Sequence, residues 1–344
     1  MTERLRWLVT GGAGYIGSHV VAALTKAGER VVIVDDLSSG HAEPIREMAP
    51  LVVGTVHDGA LMRRTLATHR VTAVVHTAAR KDATASVHDP AGFRRANIGG
   101  LHSVLAAMRD VGVARLVFSS SAAVYGPSDR PVRESAPLAP GTPYGWTKAE
   151  GERLLARAAA RYGLRYVALR YFNVAGAGDP RLADLDSPSV LSAMCRAVLI
   201  GGQPVVYGSD YPTPDGSCIR DFIHVADVAE AHRAVSGLLE HPGCAHTFNV
   251  GTGHGSSIRQ VLTALQDSCG QPVVATVGAR RPGDIPTSVA NVDHLRTVAG
   301  WSARHSLPDI VTSHWRACGV LPRESGRSRP PLLPIPGTPP QRRG

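Results

Sequence analysis

The chain of 344 residues contains no run of eighteen apolar residues, so it offers no candidate for a membrane-spanning helix. Its first six residues carry charge and lead straight into an apolar run, without the cleavage pattern of a secretory signal. Cysteine is scarce. Cys195, Cys218, Cys244, Cys269 and Cys318 are odd in number, widely spread and never paired as C-x-x-C. That usage argues against a disulfide framework or a zinc site; it predicts reduced thiols, no bound metal and a cytoplasmic protein. No internal repeat is visible.

Acidic residues are also in deficit, 28 against 37 lysines and arginines, for a formal charge of +9. Residues 321–344 hold five arginines, one glutamate and seven prolines, so about four of the excess charges fall in this segment. It has no periodic apolar face and reads as a disordered or polyproline-like tail. The remaining excess suits a protein that binds diphosphates, and nucleic-acid binding is not expected.

From residue 5 to 171, short apolar runs alternate with helix-length segments. Strands are predicted at 5–10, 30–34, 51–53, 73–76, 115–119 and 166–171. Helices are predicted at 15–27, 59–69, 90–110 and 144–162. Unbroken apolar strands separated by helices imply a parallel sheet buried on both faces, and right-handed crossovers make it a doubly wound, Rossmann-type α/β fold. Beyond residue 173 the rhythm degrades and glycine and proline cluster. Helices at 190–200, 225–239 and 258–269 and a strand at 246–250 are predicted there. The expected organisation is a dinucleotide domain over 1–173, a smaller substrate lobe over 174–320 that partly returns to it, and the tail.

Thr10-Gly11-Gly12-Ala13-Gly14-Tyr15-Ile16-Gly17 follows the first strand and opens the first helix. Glycines there allow a tight turn and close backbone approach to a pyrophosphate at a helix N-terminus. Asp35 ends the second strand about twenty residues on, where a carboxylate accepts ribose hydroxyls and repels a 2′-phosphate, so NAD is expected over NADP. Asp58 is placed either to accept from an adenine amino group or to cap the next helix.

Tyr144 and Lys148 stand four apart at the start of a helix and so share one face. A nearby ammonium, together with a positive nicotinamide ring, favours phenolate, which is the form that removes a proton, and is expected to lower the Tyr144 pKa. Ser121 closes the fifth strand, at the mouth of such a sheet, and can offer a second hydroxyl to the same substrate oxygen.

The segments VTGGAGYIGSH, VDDLSSG, VVHTAA, LVFSSSAAVYG, PYGWTK, LRYFNVAG, YGSDYPTPDGSCIRDFIHVADVAEAH, FNVGTG and RRPGD run in order from residue 7 to about 315. Together they resemble the UDP-glucose 4-epimerase family of extended short-chain dehydrogenase/reductases. The resemblance implies bound NAD lined by Gly11, Gly14, Tyr15, Ile16, Gly17, Asp35, Asp36, Leu37, Ser38, Asp58, Ala78, Ala79, Lys81, Asn97 and Phe172. It implies that Tyr144 takes the proton of the sugar 4-hydroxyl while hydride leaves C4, giving a 4-keto sugar that turns over and is reduced on its other face. Ser121 then bonds O4, and Lys148 holds the nicotinamide ribose. By the same resemblance Arg220 and Arg281 grip the diphosphate of a UDP-sugar, Asp284 accepts from its ribose and Tyr207 stacks on uracil. Asn173 and the position of Ser189 contact the sugar diphosphate. Ser288 gates the space beside the sugar 2-substituent and, being small, leaves room for an N-acetyl group. A homodimer paired through the helices at 90–110 and 144–162 is also implied.

Ser189 replaces an asparagine usual in the family, and Trp146, the Arg80-Lys81-Asp82 run and the Gly99-Gly100 pair are further departures. They leave open whether the substrate is a hexose, an N-acetylhexosamine, a uronate or a pentose. A 4,6-dehydratase needs an added acid and base, usually an Asp-Glu pair two residues before V-Y-G, where this chain has Ala122 and Ala123. A non-catalytic NAD-binding scaffold would not need Ser121, Tyr144 and Lys148 intact.

Overall fold

The computed structural model describes residues 5–320 except 41, 186 and 282; the Pro/Arg-rich segment 321–344 lies outside the described residues. Strands β1 (Arg6–Thr10), β2 (Arg30–Asp35), β3 (Leu51–Val53), β4 (Ala73–His76), β5 (Arg115–Ser121) and β6 (Arg165–Tyr171) join the strand Ala245–Val250 in one sheet. The order is Ala245–Val250, β6, β5, β4, β1, β2, β3, and every pairing is parallel. Strand order reverses between β1 and β4, which opens a crevice at the carboxyl edge of the sheet, the usual ligand position in this architecture.

Burial on both faces explains the unbroken apolar runs. One face packs Val9, Val20, Val21, Ile33 and Val75 with Ile223 and Phe248 from the second half of the chain. The other packs Leu8, Val32, Val74, Leu116 and Phe118 under Leu101, Val104 and Leu155 of the covering helices. At roughly 1.5–3 kcal/mol for each fully buried aliphatic side chain, these layers dominate the fold's favourable energy.

Two predicted helices are interrupted. The segment predicted as one helix over 90–110 becomes Pro90–Phe93, a π-helical turn Arg94–Gly99, and Gly100–Asp110. A π turn adds a residue to the helical ladder; here the turn contains Asn97, whose amide bonds Arg80 and Thr147. The helix predicted over 225–239 ends at Ala234, followed by a 3₁₀ segment Ser236–Glu240. By contrast Pro143–Tyr162 is a continuous helix, capped by the Thr142 hydroxyl and stopped at Gly163 in the left-handed conformation.

The second half adds three small sheets. Asn173–Ala175 pairs with Phe222–His224. Ile219–Arg220 lies between Ser256–Ser257 and Thr287–Ser288. Val205–Tyr207 pairs with Thr276–Gly278. Leu191, Met194, Val206, Phe222, Val261 and Ile310 form the core beneath them. Asp221, fully buried, ties these pieces together: its carboxylate accepts from Thr252 N at 2.8 Å, Thr252 Oγ1 at 2.7 Å, Gly253 N at 3.0 Å and Ala290 N at 3.2 Å.

Candidate active site

The turn after β1 is built for an anion. Gly11 has φ +72°, and a Cβ there would meet Ala78 N at 2.6 Å; one on Gly17 would meet Gly11 O at 2.1 Å. The helix Tyr15–Lys26 starts with no side-chain cap and no acidic residue in its first turn, so its amide dipoles face the crevice uncompensated. Thr77 Oγ1 donates to Thr10 O at 2.7 Å, which fixes the loop carrying Ala78 and Ala79 against this turn. A diphosphate fits such a cradle, and side chains at these glycines would fill it.

Asp35 sits beside the turn, 7% exposed, accepting from Ala13 N at 2.9 Å and Leu37 N at 2.8 Å. Burial raises its pKa and those two amides pull it back. Each carboxylate oxygen has a further lone pair, so the group both braces the glycine turn and can still accept a ribose diol. Asp36 accepts from Ser38 N and Oγ, and Leu37 between them has φ +57°. Asp58 is the N-cap of Gly59–Thr68, bonded to Ala60 N and Leu61 N.

The chemical group lies at the ends of β5 and the long helix. Ser121, whose hydroxyl accepts from Ala123 N at 3.2 Å, lies near enough to the Tyr144 hydroxyl to favour its phenolate. Lys148 Nζ donates to Ser119 O at 2.7 Å and lies 5.8 Å from the Tyr144 ring centroid. The expected lowering of the Tyr144 pKa does not hold for the protein alone. Desolvation of the buried phenol raises the value, and Ser121 opposes that. Burial in turn brings Lys148 down to about 8, with Glu152 acting to raise it.

Glu152 was not singled out from the sequence. It accepts from Ser120 Oγ at 2.5 Å and from Arg170 Nε at 2.9 Å and Nη2 at 2.6 Å, all buried. The signal was present: Tyr144, Lys148 and Glu152 recur every four residues on one helix face. His76 is a second omission. Buried beside Lys148 and bonded to Thr10 Oγ1 at 2.7 Å, it is held neutral, its pKa lowered to about 3 by desolvation and the lysine charge.

The Tyr15 hydroxyl donates to Gly176 O at 2.7 Å, joining the two halves of the chain. Lys81 pairs with Asp184 and lies 5.6 Å from the Tyr15 ring centroid. Phe172 packs with Val124, Tyr125 and Ala290.

The residues expected to hold a nucleotide cluster in the second half. Arg220 and Ser288 are register partners on adjacent strands. Arg220 donates to Ile285 O at 2.8 Å, and its Nη2 lies 3.6 Å from Asp284 Oδ1. An internal Arg220–Asp221 salt bridge is therefore not formed, because Asp221 is saturated by backbone amides and Thr252. The Arg281 guanidinium lies over the Tyr207 ring at 3.8 Å. Asn173 opens its strand, donating its amide to Asp221 O at 2.9 Å. Ser189 caps Val190–Leu199, and its hydroxyl bonds Ser192 Oγ at 2.9 Å.

Residues 7–251 match the NAD dependent epimerase/dehydratase family. The UDP-glucose 4-epimerase of Azospirillum brasilense is 44% identical over 90% of both chains. A UDP-glucose 4-epimerase structure from Stenotrophomonas maltophila, with NAD and formylated UDP-arabinopyranose bound, superposes with a TM-score of 0.88 at 38% identity, over 91% of this chain and 98% of that one. One from Bifidobacterium longum, in complex with NAD+ and UDP, gives 0.85 at 33% identity, over 91% and 98%. The chain belongs to the NAD dependent epimerase/dehydratase family, among its UDP-glucose 4-epimerases.

Proposed function

We infer that the protein is an NAD-dependent 4-epimerase that interconverts UDP-glucose and UDP-galactose. The observation that carries this reading is the meeting of Ser121, at the end of β5, with Tyr144 and Lys148 of one helix, beside a glycine turn shaped for a diphosphate. When bound, NAD supplies a hydride acceptor and donor and a positive ring charge beside the phenol. Gly11, Gly14, Gly17 and the start of the helix Tyr15–Lys26 hold its pyrophosphate, and Asp35 takes its ribose diol. Tyr144 accepts the proton of the sugar 4-hydroxyl and returns it to the product. Ser121 keeps that oxygen in line, and the Lys148 ammonium, fixed on Ser119 O, faces the neighbouring ribose.

The second half is the anchor. Arg220 and Arg281 are suited to a diphosphate because a planar guanidinium donates two parallel bonds to its oxygens. Arg281 leaves the face of Tyr207 to do so, which frees that ring to stack on uracil. Asp284 accepts the nucleotide ribose. A sugar held through its diphosphate, with few contacts of its own, can turn and present either face to one phenol. Ala122 and Ala123 carry no proton, which disfavours dehydration.

Ser288 leaves space beside the sugar 2-position, so the same site should accept UDP-GlcNAc. Ser288→Tyr should suppress that reaction and spare UDP-galactose. A pentose substrate is a second reading, favoured by the arabinopyranose nucleotide in the Stenotrophomonas structure. Proton NMR of product mixtures from UDP-hexoses, UDP-N-acetylhexosamines, UDP-uronates and UDP-pentoses decides between them; turnover of none would reject the function.

The outer face of the helices at 94–109 and Pro143–Tyr162 bears two cavities of about 520 and 610 Å³ that share Arg94 and Trp146. Trp146 is 39% exposed there. A second copy covering this face gives a homodimer, and a monomer mass by light scattering at micromolar concentration would exclude it. No helix among the described residues is long and apolar enough to cross a membrane. With five free cysteines, the cytoplasm is the compartment that fits.

A further inference from the structure

Away from the crevice, the helices Val190–Leu199 and Leu307–Val320 bring together three residues that no part of the proposed reaction uses. The Cys195 and Cys318 sulfurs and a ring nitrogen of His314 all lie within 4.8 Å of one another. Cys195 and His314 are buried and Cys318 is partly exposed. Both helices contribute to the second-half core, so the three positions are held by packing rather than by a loop.

Ser192 contacts the buried ring of His314. Ser192 Oγ donates its one hydrogen to Asp184 O at 2.8 Å, so toward His314 Nε2, at 3.2 Å, it can only accept. With Nε2 carrying the ring proton, Nδ1 of the neutral imidazole is a bare lone pair. That atom is buried and has no hydrogen-bond partner. The Gly176 carbonyl, which accepts from the Tyr15 hydroxyl, also lies close enough to this ring to favour its protonated form. A buried imidazole acceptor beside two thiols is costly to leave unmet, and a thiol proton or a cation can meet it.

We propose that Cys195, His314 and Cys318 form a three-ligand site for a thiophilic d¹⁰ cation, Zn²⁺ or Cu⁺. Two thiolates and one imidazole match the ligand preference of both ions. The Ser192 hydroxyl, 3.2 Å from His314 Nε2, is placed as the outer hydrogen-bond partner of a ligating histidine. Cu⁺ is satisfied by three ligands, whereas Zn²⁺ completes four with a water on the exposed Cys318 side. The scattered cysteines predicted no metal; only the fold brings a residue of one helix to an i, i+4 pair more than a hundred residues later.

The test uses the full chain, metal-stripped and reduced, titrated separately with Zn²⁺ and, anaerobically, Cu⁺, with Cd²⁺ as a spectroscopic probe. One equivalent should bind, and Cd²⁺ should give a thiolate-to-metal charge-transfer band in the ultraviolet. Cys318→Ser, at the partly exposed ligand, should lose the band and weaken binding at least tenfold while its circular dichroism stays that of the parent. His314→Gln should do the same. Cys269→Ser should bind normally, since that sulfur meets the Gln266 and Gln271 carbonyls. Absence of stoichiometric uptake, a band that survives in both ligand variants, or a Cys195–Cys318 disulfide that takes up no cation would overturn the proposal.

Discussion

Glu152→Gln should both destabilise the protein and move the alkaline limb of its pH–rate profile toward neutral pH. The carboxylate and Arg170 form a two-pronged pair with side chains only 8% and 6% exposed. Removing the negative partner leaves a guanidinium uncompensated in the core, a change that costs about 3–5 kcal/mol. For a protein of this size that corresponds to a fall in Tm of roughly 4–7 °C. The kinetic effect has a separate origin. Lys148 sits near 8 because burial lowers it and the Glu152 charge raises it. With glutamine in place, the ammonium loses its proton at lower pH, so activity that depends on it should fade earlier as pH rises. Scanning calorimetry and kcat/KM for UDP-galactose between about pH 6 and 10 read the two effects independently. A Tm within about one degree of the parent would refute the energetic reasoning. An unmoved alkaline limb would refute the link between Glu152 and Lys148.

Asp35→Ala should weaken NAD binding and relax its preference over NADP, because the carboxylate faces the expected ribose; an unchanged preference by isothermal titration would remove Asp35 from cofactor choice. Stability should fall as pH drops below about 6.5. His76, His224 and His232 are buried and neutral, with pKa values lowered to about 3, 4 and 4 mainly by desolvation. The unfolded chain therefore binds protons in the range 6.5 to 4 that the folded one refuses, at about 1.4 kcal/mol for each tenfold difference in proton affinity. A Tm constant from pH 7 to 4.5 would contradict this assignment.

The parallel sheet and its active edge were legible because burial on both faces leaves an apolar signature in each strand, and because the glycine turn, Ser121, Tyr144 and Lys148 are local features. Strand ends shifted by only a residue or two: β2 runs on to Asp35 and β5 to Ser121. What stayed hidden depended on contacts between distant residues. The π turn at Arg94–Gly99 has no periodicity of its own and is read only once Asn97 is seen bonding Arg80 and Thr147. The partner of Arg220 could not be inferred from adjacency. Asp221 is next in sequence, but it belongs to the amides of Thr252, Gly253 and Ala290, and Asp284 lies closest instead. The burial that raises the Tyr144 pKa in the protein without its cofactor was likewise not legible, since the i, i+4 spacing shows that Lys148 is near but not how deeply the phenol is buried.

The most direct test compares the parent with Tyr144→Phe, following UDP-galactose to UDP-glucose by proton NMR without added reductant, alongside NAD content after denaturation. A phenyl ring keeps the shape of the site and removes only the proton acceptor. The parent should carry the mixture to equilibrium. The variant should retain NAD and turn over roughly 10²–10⁴-fold more slowly. A variant rate within about threefold of the parent, or no interconversion by the parent itself, would contradict the assignment of Tyr144 as the base of a 4-epimerase.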